Sequence, residues 1–167
     1  MTTPELFRTM SRYNRWMNEK LYAVCAELTD ETRKEDRHAP FGSIHGTLNH
    51  LLLADRIWMS RFTGEPPATP IRALDQELYS DFAALHRERR AEDEKILAYA
   101  AALTPEILNT TLVFRAITQP GETSLPLARA LLHFFNHQTH HRGQLTTLLE
   151  QIGCDFGVTD LLWMFEA

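Results

Sequence analysis

LLHFFNHQTHHRGQL, residues 131–145, holds four of the eight histidines of this chain: His133, His137, His140 and His141. On a helix that turns about 100° per residue, Leu127, Leu131, Phe134, Leu145, Leu148, Leu149 and Ile152 gather roughly 60–120° from His137. His141 lies about 40° toward that apolar cluster, whereas His133 and His140 fall about 40° and 60° to the other side. The stretch therefore reads as an amphipathic helix with His137 and His141 on its inward edge and His133 and His140 outside. Its expected extent is about Leu125 to Ile152, with Ser124 as cap and Gly153 as stop.

Working outward, three more long helices are expected. Thr3-Pro4-Glu5 is a start signal: a cap, a proline in the first turn and an acid favourable to the helix dipole. Leu6, Met10, Tyr13, Met17, Leu21, Val24 and Leu28 follow in steps of three and four. After a polar connector, Ser43 caps a second helix to about Phe62, with Ile44, Leu48, Leu51, Leu52, Trp58 and Phe62 as its stripe. Asp55 falls within that stripe and calls for a partner, since a buried carboxylate is costly alone. His50 sits at the stripe's margin, and His45 projects away from the core. TGEPPATP, residues 63–70, is a loop by its proline and glycine content. A third helix is expected from about Leu74 to Leu103, with its charged middle, HRERRAEDE, as a solvated face. Leu112-Val113-Phe114 and the turn Gln119-Pro120-Gly121 suggest a short β-hairpin or an extended crossover. A short helix from Thr159 should dock its apolar residues on the bundle or on another subunit. Four long helices with a long connector before the last predict an all-α four-helix bundle, one domain over residues 1–167.

Composition narrows the classes of function. At 167 residues with 44% hydrophobic and 23% charged residues, the chain can bury a real core. Its formal net charge of −5 argues against nonspecific nucleic-acid binding. No apolar run approaches the roughly 20 residues of a membrane span, and no secretory signal opens the chain, so a cytoplasmic location is expected. Cys25 and Cys154 read as reduced thiols.

The chemistry lies in the histidines. His137 and His141, one turn apart on one face, can share a cation, and His50 can supply a third imidazole from another helix. Three imidazoles leave coordination positions for water or substrate, as in catalytic zinc sites. The segment is not H-E-x-x-H, because Gln138 stands where the general-base glutamate would be. Nor are there two Glu-x-x-His helices, as a di-iron bundle needs.

Tyr13-Asn14-Arg15-Trp16, GSIHGTLNHLLLADRIWMSRF at 42–62 and HFFNHQTHHRGQL at 133–145 together resemble the DinB family of damage-inducible proteins. That family is related to the bacillithiol- and mycothiol-dependent transferases. The resemblance implies an up-down-down-up, DinB/YfiT-like bundle, dimeric, with one divalent metal per chain on His50, His137 and His141. Zinc and nickel come first, then iron or manganese. Asp55 and Trp58 match a D-x-x-W pattern and are expected to act structurally. Arg142 and Gln144 match HRGQ as helix-packing or ligand-supporting groups, and His133 and His140 match as neighbours of the ligands. The implied activity is a metal-dependent thiol S-transferase, or a related hydrolase or isomerase, acting on a small molecule with a low-molecular-weight thiol as partner. The alternative is a metal-binding stress-response or sensing module without catalysis. The catalytic residues themselves are not identified by this reading.

Overall fold

The computed structural model describes residues 2–117 and 120–165. Helix α1 runs Thr3–Ala26. The Glu5 carboxylate accepts the N–H of Thr2 at 2.6 Å, so the cap is Thr2, one residue earlier than expected. Thr29 caps the short α2, Asp30–Lys34. Ser43 Oγ accepts the N–H of Gly46 at 3.0 Å and opens α3, Ile44–Thr63, which Gly64 closes at φ 77°. Helix α4 is Phe82–Ala102 and the single turn α5 is Pro105–Leu108.

Strands β1, Thr111–Arg115, and β2, Glu122–Pro126, form an antiparallel hairpin with Val113 opposite Ser124. Of the expected turn, Gln119 lies outside the described residues, and Gly121 takes φ 93°. Helix α6 is Leu127–Gln151, and a 3-10 helix spans Leu161–Phe165.

Two expected boundaries are corrected. The third long helix starts at Phe82, not Leu74. Asn49 Oδ1 accepts the N–H of both Leu78 and Tyr79, at 2.8 and 3.0 Å. This pins the preceding segment against α3, and Asp81 then caps the helix by accepting Ala84 N–H at 2.7 Å. Ser124 does not cap the last helix either. It belongs to β2, which runs straight into α6, and the first helical N–H, of Leu127, donates to Thr110 O at 2.9 Å.

Cross-helix pairs set the directions. Residues 14, 18 and 15 of α1 meet 93, 93 and 94 of α4, while Arg8 reaches Leu103, so α1 and α4 are antiparallel. His50 meets His141 and Trp58 meets His133, so α3 and α6 are antiparallel too. Helix α3 runs with α4, as Arg56–Glu88 and Phe62–Tyr99 show. Helix α1 runs with α6, through Phe7–Phe135 and Asn14–Arg142. The result is an up-down-down-up bundle of α1, α3, α4 and α6.

The core is in two parts. Met17, Leu21, Tyr22, Ile44, Leu48, Leu52, Leu85, Leu145 and Leu149 fill one end. Phe7, Met59, Ile96, Leu103, Leu131, Phe134 and Phe135 fill the other. Each such side chain contributes about 1.5–3 kcal/mol on burial. Between them lies a polar layer: Asn14, Asn18, Asp55, Arg89, Asp93, Gln138 and Arg142 are all buried.

The tail docks in part. Tyr13 donates its hydroxyl to Thr159 O at 2.6 Å, and Leu161 and Met164 pack on the core, while Leu162 and Trp163 stay exposed. No helix among the described residues is long and apolar enough to cross a membrane.

Candidate metal centre

The antiparallel packing of α3 on α6 brings His50 against His137 and His141. Ring centroids are 4.6 Å apart for His50–His141, 4.3 Å for His137–His141 and 5.4 Å for His50–His137. One nitrogen from each ring lies within 4.8 Å of the others. Four-coordinate zinc, with bonds of about 2.0–2.1 Å, sets its ligand atoms about 3.3 Å apart. Modest side-chain adjustment therefore reaches a ligand geometry.

Hydrogen bonds fix which nitrogen of each ring is free. His50 Nδ1 donates to the carbonyl of Leu74 at 2.9 Å. That leaves Nε2 as the lone-pair nitrogen, and it is buried with no protein partner. His141 Nδ1 donates to Gln144 Oε1 at 2.8 Å, so its Nε2 also carries a lone pair. This Nε2 lies 3.1 Å from His137 Nε2. Two lone pairs facing at that distance repel unless a proton or a cation lies between them. A buried orphan acceptor and an adjacent pair of imidazole nitrogens fit a divalent ion. Partners on the far ring nitrogen are how metal-binding histidines are oriented.

Burial pushes His50 down to about 4. Burial, with His141 and His50 beside it, pushes His137 down to about 3. His141 is lowered by burial as well. All three rings are thus neutral at pH 7, the form that binds metal.

Phe41 lies flat on His50 at 3.6 Å between ring centroids and edge-on to His141 at 5.4 Å. The Phe41 backbone fits there because residue 46 is glycine: a Cβ at that position would run into the Phe41 carbonyl. Beside this ring opens a cavity of about 450 Å³ bounded by Phe41, His45, Asn49, His50, Lys34 and Glu77.

The other sequence candidates separate. Gln144 supports His141 directly, and its amide Nε2 donates to His140 Nε2 at 3.3 Å. His140 is otherwise exposed. His133 is also exposed, 5.8 Å from the His137 ring and 5.0 Å from Trp58. Asp55 touches none of the three histidines. It pairs with Arg89 at 2.6 Å and accepts Gln138 Nε2 at 2.8 Å. Arg142 turns toward α1, donating to Asn14 and lying 5.4 Å over the Tyr13 ring.

Two expectations fail. His45 does not face away from the interior. It is 1% exposed, with Nε2 on Tyr79 O at 2.8 Å, because the segment before α4 folds over that side of α3. The charged middle of the third helix is solvated at Arg87, Arg90 and Glu94 but not throughout. Arg89, Glu92 and Asp93 are buried, and Arg89 bonds Asp55 and sits 3.0 Å from Asp93.

Sequence reasoning missed the Leu74 carbonyl and Phe41, which belong to irregular segments with no period to read. It also missed Gln138. That residue projects about 100° from His137, in the middle of the leucine stripe, and a polar residue there was the available signal.

The family model for the DinB family matches residues 1–167. Protein DinB of Bacillus subtilis (strain 168) is 28% identical over 159 residues, covering 92% of this chain and 90% of that protein. A crystal structure of a DinB-like protein from Bacillus cereus ATCC 10987 superposes with a TM-score of 0.59 at 21% identity. It covers 85% of this chain and 89% of that one, a likeness of fold. A match along the whole length, on a bundle whose α3 and α6 bring three histidines together, places this chain in the DinB family.

Proposed function

We propose that His50, His137 and His141 hold one divalent cation and that the centre serves a metal-dependent thiol S-transferase, or a related hydrolase or isomerase, acting on a small molecule. The observation that carries this reading is the convergence of three imidazole nitrogens, those of His50 and His141 fixed as lone-pair atoms by Leu74 O and Gln144 Oε1. The cation would lower the pKa of an incoming thiol and leave coordination positions open to it. The chain's own part is to keep three imidazoles neutral and oriented, and to exclude water from one side with the Phe41 ring.

The test has two steps. Protein purified without chelator and analysed for metals should carry about one ion per chain, as a single three-histidine site requires. His137→Ala should lose it. Metal-free wild type that also fails to take up added zinc or nickel sinks the reading. A panel of small thiols and electrophiles, with and without metal, then asks for catalysis. An ion held without turnover of any thiol favours the metal-binding stress or sensing module.

A further inference from the structure

Arginines in this chain that leave water find oxygen. Arg33 donates to Cys25 O, Arg56 to Glu88 and Tyr79, Arg89 to Asp55, and Arg142 to Asn14. Arg61, in the last turn of α3, is the exception. It is partly buried, yet among the described residues no carboxylate, carbonyl or hydroxyl pairs with it. The other arginines without such a partner, Arg72, Arg90, Arg115 and Arg129, are exposed. In a chain with 22 acidic residues against 17 basic ones, a half-desolvated guanidinium without a counterion is costly and calls for a reason.

Its surroundings suggest one. The guanidinium lies 4.5 Å from the Trp58 ring centroid and 4.3 Å from that of Phe114, and the two rings meet edge-on at 5.4 Å. Two aromatic faces hold the planar group while its N–H edge stays unused. From Trp58 the path to the histidine cluster is short: His133 is 5.0 Å away, and His137 is 5.8 Å beyond it.

We propose that Arg61, framed by Trp58 and Phe114, is an oxyanion subsite of the histidine centre, binding the carboxylate or phosphate of a small molecule whose other end reaches the His137 side. The inference rests on the metal reading above and adds to it the class of ligand: an anionic thiol, not a neutral one. The guanidinium fork suits a bidentate carboxylate or phosphate, and the Trp58 and Phe114 rings suit an apolar spacer. His133 lies between Trp58 and His137 on the surface that joins the two ends.

The test uses full-length protein loaded with cobalt, titrated with ω-mercaptocarboxylates, ω-mercaptoalkyl phosphates and neutral ω-mercaptoalcohols of graded length. Sulfur-to-cobalt absorption is the readout. One anionic series should bind about tenfold tighter than alcohols of equal length, the worth of one charge-assisted contact, and which series wins identifies the oxyanion. Arg61→Gln should erase that advantage, leaving alcohol binding and the metal count unchanged. An anion preference that survives in Arg61→Gln, or none in wild type, overturns the subsite.

If no thiol perturbs cobalt, the thiol reading fails, and the subsite is judged in metal-free protein. Alkyl carboxylates or phosphates should then shift the Trp58 indole N–H resonance in wild type and not in Arg61→Gln. No shift in wild type overturns it.

Discussion

Two of the places where the bundle keeps polar groups from water do so by opposite means. At mid-height, Asp55, Arg89 and Asp93 answer one another's charges, with Gln138 on Asp55 and Asn14 and Asn18 on Asp93. At the α3–α6 edge, His50 Nε2 has no protein partner and converges with a nitrogen of each of His137 and His141, whose Nε2 atoms meet at 3.1 Å. The first arrangement is largely complete within the chain. The second leaves a buried His50 nitrogen unanswered, beside two imidazoles with which it could hold a cation. Three imidazoles gathered together leave room for a ligand, whereas opposite charges gathered together close on one another as a brace.

Breaking the brace should have the largest effect. Arg89→Met takes from two buried carboxylates the guanidinium they share and should cost about 3–5 kcal/mol of stability, read from the urea midpoint. Adding Asp55→Leu to it should recover part of that loss. A single variant within about 0.5 kcal/mol of wild type would mean that the layer is not a brace.

The histidine cluster should behave in the reverse way. Saturating wild type with zinc at about a hundred times its dissociation constant should raise stability by about 2.7 kcal/mol, and His50→Ala should gain nothing. Without metal the cluster is a liability in acid. His50 and His137 are held below the usual 6.5, down to about 4 and 3. An unfolded chain takes up their protons first, so stability is full above pH 6.5 and falls as pH drops from there toward about 4 and below. Urea midpoints of metal-free protein across that range check the sign, and His137→Ala should flatten the slope. The smallest change in stability belongs to Gln144→Ala, within about 0.5 kcal/mol. The same variant should weaken metal binding about tenfold, because it frees the His141 ring. Competition with a colorimetric chelator measures it.

Much of this was legible in the sequence because it is periodic. The leucine and aromatic stripes mark the four long helices, and Ser43 and Gly64 bracket α3. The angular split of four histidines placed His141 inside and His133 and His140 outside. What stayed hidden depends on distant chain. The start of α4 is set by Asn49, some thirty residues before it. His45 is covered by that same segment. Arg89 and Asp93 look solvated beside their charged neighbours until α1 and α3 close over them. Helical period reveals which face turns inward, but not which charge waits there.

His50 lies on α3, and the other two histidines lie on α6, with α4 and the β-hairpin between them in the chain. A nascent chain that stops before α6 carries only one of the three imidazoles. The centre therefore comes into being late, when the final long helix has been synthesised and has closed against α3. Any ion held by all three imidazoles waits for α6 to be made, so it cannot template helices that form before that.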